Sequence, residues 1–181
     1  MRGTRVGWVV VGLMVTGSLT AGPAAAEESA TVTAPARRLI VSIPDRRLVV
    51  VENDRVVDEY TVAVGSAATP SPIGTFTIVN RVTNPTYYRP GKVVPPGPRN
   101  PLGTRWIGLS QKGYGIHGTD APQSIGHARS QGCIRLRNAD VERLFERVRP
   151  GDVVELHPAL TPEIAPYFES QTPAQQTGLE N

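Results

Sequence analysis

Cysteine is nearly absent: Cys133 is the single one in 181 residues. One thiol forms no internal disulfide and builds no Cys-rich zinc site. Histidine is scarce too. His117, His127 and His157 are scattered without ligand spacing, so neither a metal nor a cofactor is expected. An excess of one charge is also missing. The 19 Lys and Arg face 16 Asp and Glu, and two of the basic residues, Arg2 and Arg5, fall in the first 26 positions with no acid beside them. The rest of the chain is close to neutral and shows no basic stripe, which sets nucleic acid aside as a partner. Glycine and proline, by contrast, are plentiful, with 18 and 17 residues and no collagen period. That composition implies many turns and a β-rich body rather than a helical bundle. The length fits one domain, and 39% apolar residues suffice for one core.

Residues 1–26 read as a secretory signal peptide. Arg2 and Arg5 make a positive start, Val6 to Leu19 is an uncharged, mostly apolar run, and Ala24-Ala25-Ala26 offers a small-residue cleavage site. The apolar run is short for a membrane span. Export to a periplasm or cell-wall space is expected, with no stable membrane anchor after cleavage. An uncleaved anchor is the competing reading. An odd cysteine in an exported chain points to an intermolecular bridge or a working thiol, unless it packs as an inert small hydrophobe.

Residues 27–37 read as a linker and 38–158 as the folded domain. Leu39 to Ile43, Leu48 to Val51, and Val56 with Tyr60 to Val64 are β-branched runs separated by turn residues, the pattern of an antiparallel meander. Thr75 to Val79, Arg105 to Leu109, Tyr114 to His117 and Asp152 to Leu156 are further predicted strands. Asn84 to Pro101 holds six prolines and is expected to be irregular, either a groove wall or lid or a surface excursion. One helix is predicted after Asn138 as N-cap, with Val141, Leu144, Phe145 and Val148 on one face. Residues 159–181 are expected to be a loose tail. The fold class is thus mainly β with a short helix.

Two segments carry chemistry: Gly115-Ile116-His117-Gly118-Thr119-Asp120 and Ser130-Gln131-Gly132-Cys133-Ile134-Arg135. A Gly- and Ser-containing loop between them can fold back and bring the imidazole to the sulfur. A free thiol, with a pKa near ~8.5, is only slightly ionised at neutral pH, and a neighbouring His can take its proton or hold it as an ion pair. A thiol more reactive than free cysteine is therefore expected. Gly132 permits a tight turn, and backbone N–H groups around Gly132 and Cys133 are candidate oxyanion donors. Arg135 either holds a substrate carboxylate or braces the loop. Ser130 braces the turn. Tyr114 and Trp106 line the cleft or pack in the core. His127 and Arg129 read as solvated, and His157 as structural.

On these residues the chain resembles the L,D-transpeptidase catalytic domain family, also called YkuD-type. Ser71-Pro72-Ile73-Gly74-Thr75-Phe76 and Asn100-Pro101-Leu102-Gly103-Thr104-Arg105-Trp106 extend the likeness, which covers roughly residues 38 to 157. The resemblance implies a mixed-sheet or β-sandwich domain with a helix beside a catalytic cleft. It implies that Cys133 is the nucleophile and His117 the general base, oriented by the Gly118 carbonyl. It also implies an acyl transfer between peptidoglycan stem peptides as donor and acceptor. In that reaction D-alanine leaves, a thioester forms on Cys133, and a 3→3 cross-link results. Carbapenem sensitivity is a further implied trait. Gln131 stands where the family usually has His, and it is expected to shape the loop or touch substrate rather than to titrate. The alternatives are an L,D-carboxypeptidase or endopeptidase with the same Cys–His pair, or a non-catalytic wall-binding module. A monomer is the expected state.

Overall fold

The computed structural model describes residues 37–169. The expected signal peptide and all but the last residue of the expected linker lie outside the described residues. Twelve strands form among them: β1 (Arg37–Ser42), β2 (Arg47–Glu52), β3 (Arg55–Thr61), β4 (Val64–Gly65), β5 (Gly74–Thr83), β6 (Tyr87–Arg89), β7 (Lys92–Val94), β8 (Arg105–Leu109), β9 (Gly115–His117), β10 (Ala128–Ser130), β11 (Ile134–Arg135) and β12 (Val153–His157). Eight of them build one mixed sheet in the order β11-β9-β8-β5-β12-β1-β2-β3, while β10 pairs with β4 and β6 with β7.

The β1-β2-β3 meander forms as its pattern predicts. Asn53 and Asp54 turn it at φ 50 and 58, a left-handed geometry that these two side chains tolerate. The strand predicted over Tyr60 to Val64 is divided. The chain leaves the meander at Thr61, and Val64–Gly65 pairs with β10 instead. The closing strand β12 does not lie at an edge. It inserts between β5 and β1, parallel to β1 and antiparallel to β5.

Leu39, Val41, Leu48 and Val50 pack on one face of β1 and β2 with α1 (Asn138–Arg147), which buries Val141, Leu144 and Phe145. Ile40, Val49 and Val51 point to the other face, where Ile164 and Phe168 cover them. Both faces being covered explains why β1 and β2 read as continuous apolar runs rather than alternating ones. It also revises the first part of the loose tail expected over 159–181, of which residues 170–181 lie outside the described residues. Residues 165–169 form a short helix, α2 (Ala165–Glu169), with Phe168 buried and its carbonyl accepting from Arg47 Nη1 at 2.9 Å.

Two other expectations are revised. The proline-rich segment is not wholly irregular, because β6 and β7 form a hairpin inside it. Its prolines offer few donors, and the buried Asn100 supplies them: Nδ2 lies 2.7 Å from the Pro85 carbonyl and 3.1 Å from those of Val94 and Pro95. Asn138 is not the helix cap. Arg137 occupies that place without a side-chain cap bond, and Asn138 is the first helical residue.

Candidate active site

β9 is the short strand that carries His117. It runs antiparallel to β8 on one side and parallel to β11 on the other. The register sets Trp106, His117 and Arg135 abreast across the three strands. Directly opposed residues of neighbouring strands point to the same face. All three line one cleft of about 710 Å³. Cys133 precedes Arg135 by two residues and opens into the same cleft, as does Gln131. The sheet thus brings the two candidate catalytic side chains to a common hollow. One of its walls comes from the proline-rich segment, through Pro85, Tyr87 and Tyr88.

The imidazole is buried, with 4% of its residue surface exposed, and the Trp106 ring stacks on it. Nδ1 lies 2.6 Å from the carbonyl oxygen of Gly118. Since a carbonyl only accepts, Nδ1 carries the proton, and Nε2 is left as the basic nitrogen. Burial pushes the His117 pKa down to about 4, the Gly118 hydrogen bond opposes this, and Arg135 lowers it further. Burial pushes the Cys133 thiol up, against a hydrogen bond from the Gly115 backbone and the charge of Arg135. Both shifts favour the neutral form of the group in the free protein. Desolvation is the largest cause at both groups, which favours proton transfer to His117 during the reaction over a resting ion pair, the two routes left open by the sequence. The thiol's own hydrogen bond goes to the Gly113 carbonyl, at 3.7 Å.

The turn before Cys133 is fixed by Ser130. Its hydroxyl accepts from Gly132 N–H at 3.0 Å and donates to the Cys133 carbonyl at 2.6 Å. These two bonds make Ser130 a brace of the loop. The same bond engages Gly132 N–H, which removes it from the expected oxyanion donors. Gly132 itself sits at φ 102, and a Cβ there would come within 2.6 Å of the Tyr114 ring. Tyr114 packs behind this turn and is not among the residues lining the cleft, so of the two places expected for it the structure gives packing rather than a substrate contact. Gly118 has a second role beside the one the resemblance implies. Its carbonyl orients His117, and its missing Cβ makes room for the side-chain oxygen of Asn138.

Arg135 is the one charged residue among those that line the cleft. Its backbone is held by Ala63 on both sides, and its Nη1 lies 3.4 Å from the Arg129 carbonyl. Its buried Nε has no partner among the described residues. Gln131 is exposed at the rim. His127 and Arg129 are exposed and outside the lining, and His157 Nε2 lies 3.0 Å from Glu155 Oε2 at the far end of β12. Among the described residues no group of His, Cys, Asp and Glu could hold a metal ion, and no helix is long and apolar enough to cross a membrane.

Comparison with known proteins gives a consistent result. Residues 36–156 match the family profile described as YkuD, L,D-transpeptidase catalytic domain. The protein named YkuD in Bacillus licheniformis is 43% identical over 121 residues, which cover 67% of this chain and 66% of that one. YkuD of Bacillus subtilis is 40% identical over 119 residues, covering 66% and 65%. The protein named ErfK/SrfK in Escherichia coli is 34% identical over 134 residues, 65% of this chain and 43% of the relative. The matched segment therefore spans just under two thirds of the Bacillus proteins. In fold, an L,D-transpeptidase from Mycobacterium tuberculosis superposes with a TM-score of 0.58 at 19% identity, covering 68% of this chain and 58% of that one. One from Enterococcus faecium gives 0.58 at 21% identity, covering 67% and 50%.

Proposed function

The chain belongs to the L,D-transpeptidase catalytic domain family, and from that premise we propose that it is an exported cysteine acyltransferase acting on peptidoglycan stem peptides. The observation that carries this reading is the register of β9 and β11. It turns Cys133 and His117 into one cleft, with His117 Nδ1 tied back to Gly118 and Nε2 left as the base.

The chemistry follows from two neutral partners. With a stem tetrapeptide in the cleft, Nε2 of His117 takes the thiol proton as Sγ attacks the carbonyl carbon of the third stem residue. Charge appears only where the substrate has displaced water. The N–H of Cys133, which no protein acceptor engages among the described residues, is the donor placed for the developing oxyanion. The bond to D-alanine then breaks. The amine leaves with the proton from the imidazolium, and the acyl group stays on Sγ as a thioester. An amine of a second stem attacks that carbon and gives its proton to Nε2. The expelled thiolate recovers the proton, and the new amide is the 3→3 cross-link. Arg135 supplies the positive charge of the cleft and suits a carboxylate of the donor stem.

Incubation with purified disaccharide-tetrapeptide, read by mass spectrometry, tests this. A dimer lacking one D-alanine is the expected product. Tripeptide alone would assign the thioester to water and the chain to the carboxypeptidases, and an unchanged tetrapeptide would contradict both. Export is supported by the pattern of residues 1–26 and is tested separately. The secreted form should begin at Glu27.

A further inference from the structure

We propose that Asn138 is a positioning residue for the His117 imidazole, a neutral clamp joining the two backbone segments that hold the ring. The inference rests on the reading of His117 as the base.

Asn138 opens α1, yet its side chain does not serve that helix. Its Oδ1 accepts from Thr119 N–H at 3.1 Å and from Thr104 N–H at 3.3 Å. These amides belong to segments far apart in the chain, and both lead directly to the imidazole. Thr119 follows Gly118, whose carbonyl holds Nδ1 at 2.6 Å. Thr104 precedes Arg105, whose carbonyl accepts from Gly118 N–H at 3.2 Å, and then Trp106, whose ring stacks on His117. One amide oxygen therefore ties the strand under the indole to the turn that carries the orienting carbonyl.

The space for this oxygen is built in. A Cβ on Gly103 would come within 2.1 Å of Oδ1 and one on Gly118 within 2.2 Å. Gly103 also sits at φ 63, where a side chain is disfavoured. Two glycines thus leave a slot that fits a short side chain with an acceptor. The chemistry favours an amide over a carboxylate. An aspartate here would set a negative charge next to the turn that holds a buried neutral imidazole, and so favour its protonation. The charged and titratable side chains sharing the cleft with His117 are Arg135, Cys133, Tyr87 and Tyr88. On α1 itself, Asp140 is engaged by Arg143, and Glu142 lies 3.9 Å from Arg105.

The test compares the full chain with Asn138→Ala and Asn138→Asp, using turnover of disaccharide-tetrapeptide and NMR titration of the labelled His117 ring. For Asn138→Ala the expected result is a kcat at least tenfold lower with KM within twofold, and a His117 titration midpoint displaced by at least half a pH unit, downward where the Gly118 bond is lost and upward where water reaches the ring. Asn138→Asp keeps the acceptor and should recover kcat to within threefold at pH 8. A fall in melting temperature alone, with kcat and the ring titration unchanged, would overturn the proposal and leave Asn138 a purely structural residue. Should Asn138→Ala not fold, Asn138→Ser, too short to reach both amides, is read by the same criteria. If the wild-type chain shows no turnover, the functional reading fails on its own, and the ring titration still decides the clamp.

Discussion

The indole of Trp106 stacks on the imidazole of His117, with ring centroids 5.7 Å apart and planes 23° from parallel. The two residues are direct register partners on β8 and β9. The indole therefore covers this face of the ring, and burial is the main cause of a His117 pKa of about 4. Trp106→Ala should admit water and raise that value toward the ordinary ~6.5. The base works only when neutral, so the acid limb of kcat/KM should move upward by at least one pH unit. Activity at pH 5.5 should fall more than activity at pH 8. A pH–rate profile with an unmoved acid limb would show that the indole does not set the base.

The same depression couples His117 to stability. Its folded pKa lies below the unfolded one, so the unfolded chain binds more protons between about pH 4 and 6.5. Stability is at its full value above pH 6.5 and declines as pH falls through that window, by up to ~1.4 kcal/mol per pH unit. Denaturant unfolding at pH 7 and at pH 5 should show this loss in the wild type. It should be largely missing in His117→Gln, once each is compared with its own value at pH 7.

Cys133 should not behave as a ready-made thiolate. Burial raises its pKa, and the Gly115 hydrogen bond and Arg135 only partly offset this. Its alkylation by iodoacetamide should rise continuously with pH to beyond the ordinary thiol range, without a plateau between pH 5 and 8. A neutral-pH plateau that disappears in His117→Ala would instead reveal a resting ion pair.

The turn that presents the sulfur depends on Gly132 and Ser130. Gly132→Ala places a side chain at φ 102 and 2.6 Å from the Tyr114 ring, which should cost at least about 1–2 kcal/mol from backbone strain alone. Ser130→Ala leaves the Gly132 amide and the Cys133 carbonyl without their shared hydroxyl. A loss of roughly 1–3 kcal/mol is expected by chemical denaturation. Both variants should lower kcat/KM more than tenfold through misplacement of Sγ.

Much of this site was legible in the sequence, and the failures have physical causes. His117 and Cys133 were readable because each lies in a short glycine-flanked strand or turn, where few other residues supply a base or nucleophile. The meander was readable because Leu39 to Val41 and Leu48 to Val51 are uninterrupted. That same lack of alternation was a missed signal: a strand apolar on both faces needs two covers, and Ile164, Tyr167 and Phe168 stand at helical spacing further along. Asn138 looked like a cap because Asn before an apolar helix usually is one. Its real partners lie 34 and 19 residues upstream, and no local pattern reveals them. Tyr114 and Trp106 stay undecided between cleft and core in the sequence because strand alternation does not say which face meets the cleft.

The covered face makes its own prediction. Phe168 is 5% exposed and packs with Ile164 against Ile40, Val49 and Val51. Phe168→Ala should destabilise the domain by about 3 kcal/mol, the lower end for a buried phenylalanine. It should leave the pH dependence of Cys133 alkylation unchanged. Thermal and denaturant unfolding read the first effect, and an unaltered melting temperature would mean that α2 contributes little.

Every step above requires that the acyl group rest on Cys133 and arrive there through His117. Intact-protein mass spectrometry after brief exposure to a stem tetrapeptide measures this directly. The wild type should gain the mass of the tripeptide acyl group, located on Cys133 by peptide mapping, while Cys133→Ala and His117→Ala should gain none within the same time. Release of D-alanine by Cys133→Ala, or an adduct that forms equally fast without His117, would contradict the account.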